Sequence, residues 1–364
     1  MQKLTGVERI LKTIKHQEPD VVPHFELLHH KKVRDAILPG ASYADFIDYM
    51  DIDGFLPFDK VWNWSYETVD ASKNIKRDQW GGIVQFTSED LGHPIIPAIK
   101  TMKDLDSYVP PDPDAEWRYN DLRQLIKRWK GQRAIIAHVT DAFDIAKESL
   151  LGDVAYFKAM IKNPEIVERC NEIVTNYHLR FLSNCIDLGA DLVLVSGDWA
   201  MTKTPMASHE QTKRFLAPPL KKCVELAHSR GVPCLKHTDG NIWPIHDILI
   251  DYCGVDGLHP IDPMAGIDMA EAKSVFGDRC CLMGNVSCAA TLSWGTTEEV
   301  RQETREVIKK GGKGGGLIVM SSNTIHSGVK PENYVAMIEA IKEYGKYPLD
   351  WSKLVPTYWT GGGK

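Results

Sequence analysis

The sequence predicts an α/β fold of the TIM type, a single (β/α)8 barrel with a β-hairpin inserted between strands two and three. Short, almost wholly apolar segments alternate with helical segments along the chain, as expected for parallel strands covered on both faces. Eight such apolar segments are present, and eight is the strand number of this barrel. An open, doubly wound sheet with eight strands is the alternative that the regular spacing disfavours.

The eight candidate strands are apolar runs of strand length that end in polar residues. In chain order they are 21–27, 52–57, 133–139, 191–196, 232–237, 254–259, 280–285 and 316–321. From the fifth strand onward, a helical segment separates each strand from the next. This order predicts successive βα units and therefore a parallel sheet.

The helices between the strands carry start signals. Capping boxes, in which Ser or Thr precedes Glu or Gln by three residues, predict three helix starts. The pairs are Thr5 with Glu8, Ser208 with Gln211 and Thr296 with Glu299. The segment 153–187 predicts one or two long helices with a break at Pro164. Pro331 marks the start of the last helix of the barrel.

Two segments depart from the alternation. The long connection after strand two contains KRDQWGGIVQF (76–86), whose Gly81-Gly82 step between extended segments predicts the inserted hairpin. The end of the chain is rich in glycine and predicts a loose tail. We therefore expect one barrel domain over residues 1–350, followed by a tail over residues 351–364.

Composition excludes several classes of protein. The 364 residues include 43 Lys or Arg and 49 Asp or Glu, which gives a net charge of −6. A mildly acidic chain without a basic run is not expected to bind nucleic acid or an anionic membrane. No apolar stretch approaches the ~18 residues of a membrane helix, and no secretory signal is recognisable. The eight cysteines form no CxxC, so we expect a reduced, cytoplasmic enzyme.

Candidate functional residues follow the strands, because the active site of this barrel lies at the carboxyl ends of the strands. Buried polar groups without partners cost about 1–3 kcal/mol each, so a polar ring there suggests a function. The residues that we expect at this end are Glu26, Asp198, Trp199, His237, Asp239, Asn241, His259, Asn323 and His326.

The segment His237-Thr238-Asp239-Gly240 is the strongest of these signals. Residues at i and i+2 across a strand end can converge on one ligand, as a proton-donor pair or as two metal ligands. Alternatively, Asp239 caps a helix that starts near Asn241 and His237 is a hydrogen-bonded core residue. Asp198 beside Trp199 suits a flat organic group or a cation, or else Asp198 only begins a loop.

Several segments together resemble the uroporphyrinogen decarboxylase superfamily over nearly the whole chain. They are RILKTIKHQEPDVVP at the start, DQWGG in the hairpin, KHTDGN after strand five, GLHPIDPMAGID after strand six, GNVS after strand seven and KGGGLIVMSSNTIHSGVKPENY at the end. The resemblance implies a TIM barrel. The decarboxylase itself carries an Arg-rich RQAGR-type stretch after strand one, where this chain has ELLHHKKVRD.

The resemblance also points to the corrinoid-dependent methyltransferases. Those that methylate thiols bind zinc through His-x-Cys after strand five and a Cys after strand eight. This chain has His237 and Asp239 at the first place, and Ser321 and Ser322 at the second. Both expected cysteine ligands are therefore absent, which disfavours a methyl-corrinoid:thiol methyltransferase.

The resemblance then implies a methyltransferase that demethylates an ether. It would move a methyl group from a methoxylated, aromatic donor to Co(I) corrinoid (cobalamin) carried by a separate small corrinoid protein. We expect His237 and Asp239 to be catalytic, together with Asp198 and His259, and His237 and Asp239 to be the ligands of any metal such as zinc. Substrate-binding residues are then Glu26, Trp199, Asn241, Asn323 and His326.

Three alternatives stay open at the level of the sequence. They are the thiol methyltransferase, a decarboxylase acting on an acid, and a barrel that binds a ligand without catalysis. A homodimer is the default expectation for the oligomeric state.

Overall fold

The computed structural model describes residues 3–355, apart from the side chains of Asp59 and Trp62. The strands of this part are β1 (Gly54–Phe55), β2 (Tyr66–Asp70), β3 (Ile75–Asp78), β4 (Ile83–Gln85), β5 (His93–Ile96), β6 (Ala134–Thr140), β7 (Leu192–Ser196), β8 (Cys234–His237), β9 (Gly257–His259), β10 (Cys281–Val286) and β11 (Leu317–Ser321). A parallel sheet has the order β1-β6-β7-β8-β9-β10-β11. An antiparallel sheet has the order β2-β3-β4-β5. The predicted barrel fold is confirmed.

Helices follow the strands of the parallel sheet, as predicted. They are α1 (Gly6–Ile14), α2 (Lys31–Ile37), α3 (Tyr43–Met50), α4 (Asp59–Trp62), α5 (Met102–Asp106), α6 (Asn120–Trp129), α7 (Ala142–Asp144), α8 (Asp153–Lys162), α9 (Pro164–Leu188), α10 (His209–Gln211), α11 (Ala217–Ser229), α12 (Met269–Phe276), α13 (Thr291–Trp294), α14 (Thr297–Gly311), α15 (Pro331–Tyr344) and α16 (Trp351–Leu354). The three predicted capping boxes are confirmed. So is the break at Pro164, since α8 ends at Lys162 and α9 begins with that proline.

The predicted first strand, 21–27, is not a continuous strand, and this corrects the sequence analysis. His24 forms an isolated parallel bridge with Val319 of β11, and the Val319 amide donates to the Pro23 carbonyl at 3.1 Å. Pro23 has no N–H, so a regular ladder cannot run through it. On the other side, the Asp53 amide donates to the His24 carbonyl at 3.0 Å. The segment therefore fills the gap between β11 and β1 and closes the ring.

The inserted hairpin is confirmed and belongs to a larger sheet. Strands β3 and β4 pair antiparallel around Gly81 and Gly82, and β2 and β5 extend the sheet on either side. The Asp78 carboxylate accepts the amides of Trp80 at 2.8 Å and Gly82 at 3.0 Å, which fixes the turn. It also accepts the Ser149 hydroxyl at 2.7 Å. One buried carboxylate thus ties the DQWGG turn to the barrel.

The division into a barrel of residues 1–350 and a tail of residues 351–364 stays a prediction, because residues 356–364 lie outside the described part. All eight cysteines are buried and none forms a disulfide. Across residues 3–355, no helix combines the length and the apolar character needed to cross a membrane.

Ring closure gives a test of stability at Asp53. Its carboxylate accepts the His24 amide at 2.9 Å and pairs with the Arg9 guanidinium. Removal of Asp53 leaves the buried His24 amide without its acceptor, whereas Arg9 keeps its pair with Asp20, so Asp53→Ala is expected to lower the free energy of unfolding by about 1–3 kcal/mol. Glu67→Ala is the control, because the Glu67–Arg77 pair is exposed and contributes about 0–1 kcal/mol. Urea unfolding measures both, and equal losses in the two variants would contradict this account of closure.

Candidate active site at the barrel mouth

The barrel brings four predicted site residues together at the carboxyl ends of β7, β8 and β9. In the parallel register, Ser196 of β7 lies beside His237 of β8, and His237 lies beside His259 of β9. Asp198 follows β7 by two residues, and Asp239 follows β8 by two. Since these strands end at the same level, the polar residues that follow them meet at one mouth.

Asp198, His237 and Asp239 form a compact cluster, which we call the mouth cluster. His237 Nε2 lies 3.6 Å from Asp198 Oδ1 and 3.6 Å from Asp239 Oδ1. One ligand atom from each residue lies within 4.8 Å of the other two. The imidazole is buried, whereas the carboxyl side chains are 40% and 30% exposed. The cluster is therefore reached from solvent past its carboxylates.

The loop after β8 crosses close to the loop after β7, and a glycine permits the approach. Gly240 has φ of +88°, and a Cβ there would lie 2.6 Å from the carbonyl oxygens of Ala200 and Met201. Its amide donates to Asp262 at 3.0 Å, and the Asp239 amide donates to Asp198 at 2.9 Å. The HTDG sequence thus sets the two carboxylates side by side, because a side chain at position 240 would separate the loops.

A buried ion pair supports the loop that carries Asp198. Lys236 Nζ lies 2.7 Å from Asp141 Oδ2 and 2.8 Å from the Gly197 carbonyl, and both side chains are almost fully buried. The Trp199 indole donates to the same carboxylate at 3.0 Å, with the ammonium group 4.9 Å from its ring. Trp199 is 0% exposed, and its contact with substrate stays a prediction.

Three other predicted residues lie around the mouth. Asn323 joins the cluster, because its amide donates to Asp239 Oδ2. Asn241 instead links loops: its amide nitrogen donates to the Lys203 carbonyl, and its oxygen accepts the Trp243 amide. His326 lies 3.3 Å from the Cys288 carbonyl and accepts the Gly328 amide. Asn241 therefore contacts backbone groups of the surrounding loops, and His326 contacts backbone groups and the Ser293 hydroxyl.

Glu26 reaches the cluster indirectly, through Ser321. Its two carboxylate oxygens accept the Ser321 amide at 2.8 Å and the Ser321 hydroxyl at 2.6 Å. The Ser321 carbonyl in turn accepts from His259 Nε2 at 2.9 Å. Burial raises the pKa of Glu26 to about 8, against which the two serine hydrogen bonds act. Glu26 therefore supports β11 behind the mouth.

The electrostatics of the cluster favour a bound cation. Burial, followed by the charge of Lys236, lowers the pKa of His237 to about 3, so the imidazole is neutral. Burial and the neighbouring Asp198 raise the pKa of Asp239 to about 8, and burial also raises the pKa of Asp198. Asp239 Oδ1 is buried and has no hydrogen-bond partner among the described residues. A neutral imidazole and two repelling carboxylates are a donor set that fits a divalent metal ion.

Sequence reasoning missed part of the wall beside Asp198. Asp144 Oδ2 accepts the Asp198 amide at 3.2 Å, and Lys147 Nζ lies 3.2 Å from the other oxygen of Asp144. Lys147 belongs to a π-helical turn, Ile145–Leu151, that follows α7. Such turns occur frequently at functional sites. An isolated Lys in an apolar segment gives no sequence signal for this position, whereas Asp144 follows the end of β6 by four residues, where site residues of a barrel are expected.

Comparison with known proteins adds the family. The family model described as Uroporphyrinogen decarboxylase (URO-D) matches residues 79–344. The uroporphyrinogen decarboxylase of Psychromonas ingrahamii is 25% identical over 272 residues, which cover 72% of this chain and 74% of that protein. The one of Aliivibrio salmonicida is 26% identical over 252 residues, or 67% and 69%. A methyltransferase from Methanosarcina mazei shares the fold with a TM-score of 0.73 at 19% identity, over 94% of this chain and 99% of its own.

The shifted carboxylate gives a pH test on EDTA-treated protein. Between about pH 4 and pH 8, folded Asp239 holds a proton that the unfolded chain releases, so this residue makes unfolding easier as pH rises. Asp239→Asn removes the effect. The variant is therefore expected to gain about 2 kcal/mol in unfolding free energy over the wild type when pH is raised from 5 to 8.

Asp278→Asn is the matched control, because that side chain is 81% exposed. Chemical unfolding at the two pH values measures both differences. A gain at pH 8 that is the same for Asp239→Asn and Asp278→Asn would show that the mouth cluster is not electrostatically strained.

Proposed function

The chain belongs to the uroporphyrinogen decarboxylase family of enzymes, and we propose that it transfers a methyl group from a methoxylated aromatic donor to the Co(I) corrinoid of a separate protein. The observation that carries the proposal is the mouth cluster, a neutral imidazole nitrogen 3.6 Å from each of two carboxylates. The shared fold of a methyltransferase from Methanosarcina mazei supports the reaction class.

The donor set fits a metal that activates oxygen rather than sulfur. The mouth cluster offers one imidazole nitrogen and the oxygens of two aspartate carboxylates, and it contains no thiolate. A catalytic zinc site uses three protein ligands of this type and leaves a position open for substrate. A divalent cation bound there supplies a Lewis acid that polarises the ether oxygen of the donor. Carboxylate and imidazole ligands leave the cation more acidic than thiolates do, which suits the poor leaving group of an ether.

The residues of the chain also supply a route that needs no metal. The reaction breaks the bond between the methyl carbon and the ether oxygen, and the electron pair stays on oxygen. Asp239 is protonated near neutral pH because its pKa is about 8, so Oδ1 can hand a proton to the leaving phenolate. Asn323 holds the other oxygen of Asp239 and orients the group. Such a proton donor contributes about 10²–10⁴-fold in rate.

The corrinoid requires a partner protein. No Asp stands two residues before any of the 13 histidines, so the chain lacks the corrinoid-binding signature. The Co(I) corrinoid of the partner supplies the nucleophile that takes the methyl group. The chain binds the donor at the mouth, in line with the incoming partner, and alignment of the reacting atoms provides a large part of such accelerations.

A decarboxylase is the second candidate, and the names of the relatives favour it. The mouth speaks against it, because a substrate rich in carboxylates would meet Asp198 and Asp239. Among the basic residues that follow the segment 21–27, Arg34 makes its contacts away from the mouth cluster. Arg34 donates to the His29 carbonyl at 3.0 Å and stacks on Tyr43 at 4.1 Å.

A spectroscopic assay tests the proposal. With Co(I) cobalamin and guaiacol, the wild type is expected to consume the Co(I) absorbance and to produce that of methylated cobalamin. Asp198→Asn, His237→Gln and Asp239→Asn are each expected to slow the reaction by at least ~100-fold. His209→Gln is the control and should stay within about twofold, because His209 pairs with Asp247 on the surface.

Metal analysis of the same samples separates the two routes of activation. Zinc at one equivalent in the wild type and its loss in His237→Gln would favour the Lewis acid. Consumption of methylated cobalamin by an added thiol would show that the methyl group moves in the opposite direction, from the corrinoid to a thiol. Release of CO₂ from a porphyrinogen would establish the decarboxylase instead, and ligand binding without turnover would leave a binding barrel.

A further inference from the structure

We infer that His259 is a positioning residue that fixes His237 in the tautomer with its proton on Nδ1, so that Nε2 presents a lone pair to Asp198 and Asp239. The tautomer follows from the hydrogen bonds of the two rings and from their burial. Its consequence, a site that accepts a cation, rests on the proposed function.

The nitrogen of His259 that lies away from His237 is Nε2. His259 Nε2 lies 2.9 Å from the Ser321 carbonyl oxygen, and both groups are buried. A carbonyl oxygen can only accept a hydrogen bond, so Nε2 must carry the hydrogen. In a neutral imidazole, the other nitrogen is then an acceptor. His259 Nδ1 therefore holds a lone pair.

The state of His259 Nδ1 determines that of His237 Nδ1. The two Nδ1 atoms lie 2.7 Å apart, which is a full hydrogen bond. Because His259 Nδ1 accepts, His237 Nδ1 must donate. Both rings are buried, and a charged imidazole is costly to bury, so neither ring carries a second proton. His237 Nε2 is left without hydrogen.

Hydrogen bonds to Glu26 hold the Ser321 carbonyl in place. Ser321 is held at both its amide and its hydroxyl by the carboxylate of Glu26, at 2.8 and 2.6 Å. Ser321 is one of the two serines, with Ser322, at the place where the thiol methyltransferases of the superfamily are expected to have a cysteine ligand. Here its hydroxyl faces Glu26 and its carbonyl faces His259. The residue thus serves as the anchor of a chain that runs from Glu26 to His237.

The hydrogen bonds that run from Glu26 to His237 assign to His237 a role that the HxD pattern leaves open. With hydrogen on Nε2, His237 would place a donor between the carboxylates and would keep a cation out. With hydrogen on Nδ1, the same atom is a ligand or a proton acceptor, and a partner on the second nitrogen of this kind typically changes metal affinity by about 10–100-fold. His237 is therefore not the proton donor of the mouth cluster, which leaves that role to Asp239.

Nitrogen NMR on the EDTA-treated full chain, labelled with ¹⁵N-histidine, tests the tautomer without activity or metal. The spectrum of His237→Gln identifies the His237 resonances by their disappearance. We expect a protonated Nδ1 and an unprotonated Nε2 for His237, and the reverse for His259. A hydrogen on His237 Nε2, or an imidazolium at pH 8, would overturn the inference.

Two variants of His259 separate positioning from folding. Asn places an oxygen near the position of Nδ1, so His259→Asn should keep the His237 tautomer and bind Zn²⁺ within about threefold of the wild type. His259→Phe fills the space without an acceptor and should release the tautomer and weaken Zn²⁺ by about 10–100-fold. If His259→Phe does not fold, the wild-type spectrum and His259→Asn still decide. Wild-type protein that shows the expected tautomer but binds no Zn²⁺ would refute the metal route and leave the tautomer standing.

Discussion

The parallel register that sets His237 of β8 opposite His259 of β9 is the constraint on which the rest of the site depends. It brings the two Nδ1 atoms to 2.7 Å and turns the Nε2 atoms in different directions, one towards Ser321 of β11 and one towards Asp198 and Asp239. Asp198 and Asp239 meet the outward nitrogen because the loops after β7 and β8 lie against each other. A shift of the strand register by one residue would turn each side chain to the opposite face of the sheet and would separate the residues of the mouth cluster.

Burial of this much polarity makes the mouth a place of stored electrostatic strain. Burial and the neighbouring Asp198 raise the pKa of Asp239, and the Asp239 Oδ1 atom lacks a hydrogen-bond partner among the described residues. Behind them, Lys236 pairs with Asp141 and donates to the Gly197 carbonyl in the loop that carries Asp198. This division is typical of active sites, where strained groups are kept in position by well-paired neighbours. It also explains why one set of residues can serve either metal or proton chemistry.

The sequence predicts the barrel and the three residues of the mouth cluster, but it does not predict what each residue of the site contacts. Apolar runs locate seven strands of the ring, and the polar residues that end them include His237, Asp239 and His259. The segment 21–27 looks like a strand by composition, yet Pro23 interrupts the ladder. Trp199 looks like a surface for an aromatic ligand, yet a distant Asp141 draws its indole into the core. Roles that depend on contacts between residues far apart in the chain cannot be read from local pattern.

We propose that Asp198, His237 and Asp239 together hold a divalent cation at the barrel mouth. Anomalous diffraction at the zinc edge from crystals equilibrated with Zn²⁺ would locate this ion. We expect one strong peak at ~2.0–2.2 Å from His237 Nε2 and from a carboxylate oxygen of each aspartate. An empty mouth at saturating zinc, or a peak bound elsewhere on the chain, would contradict it.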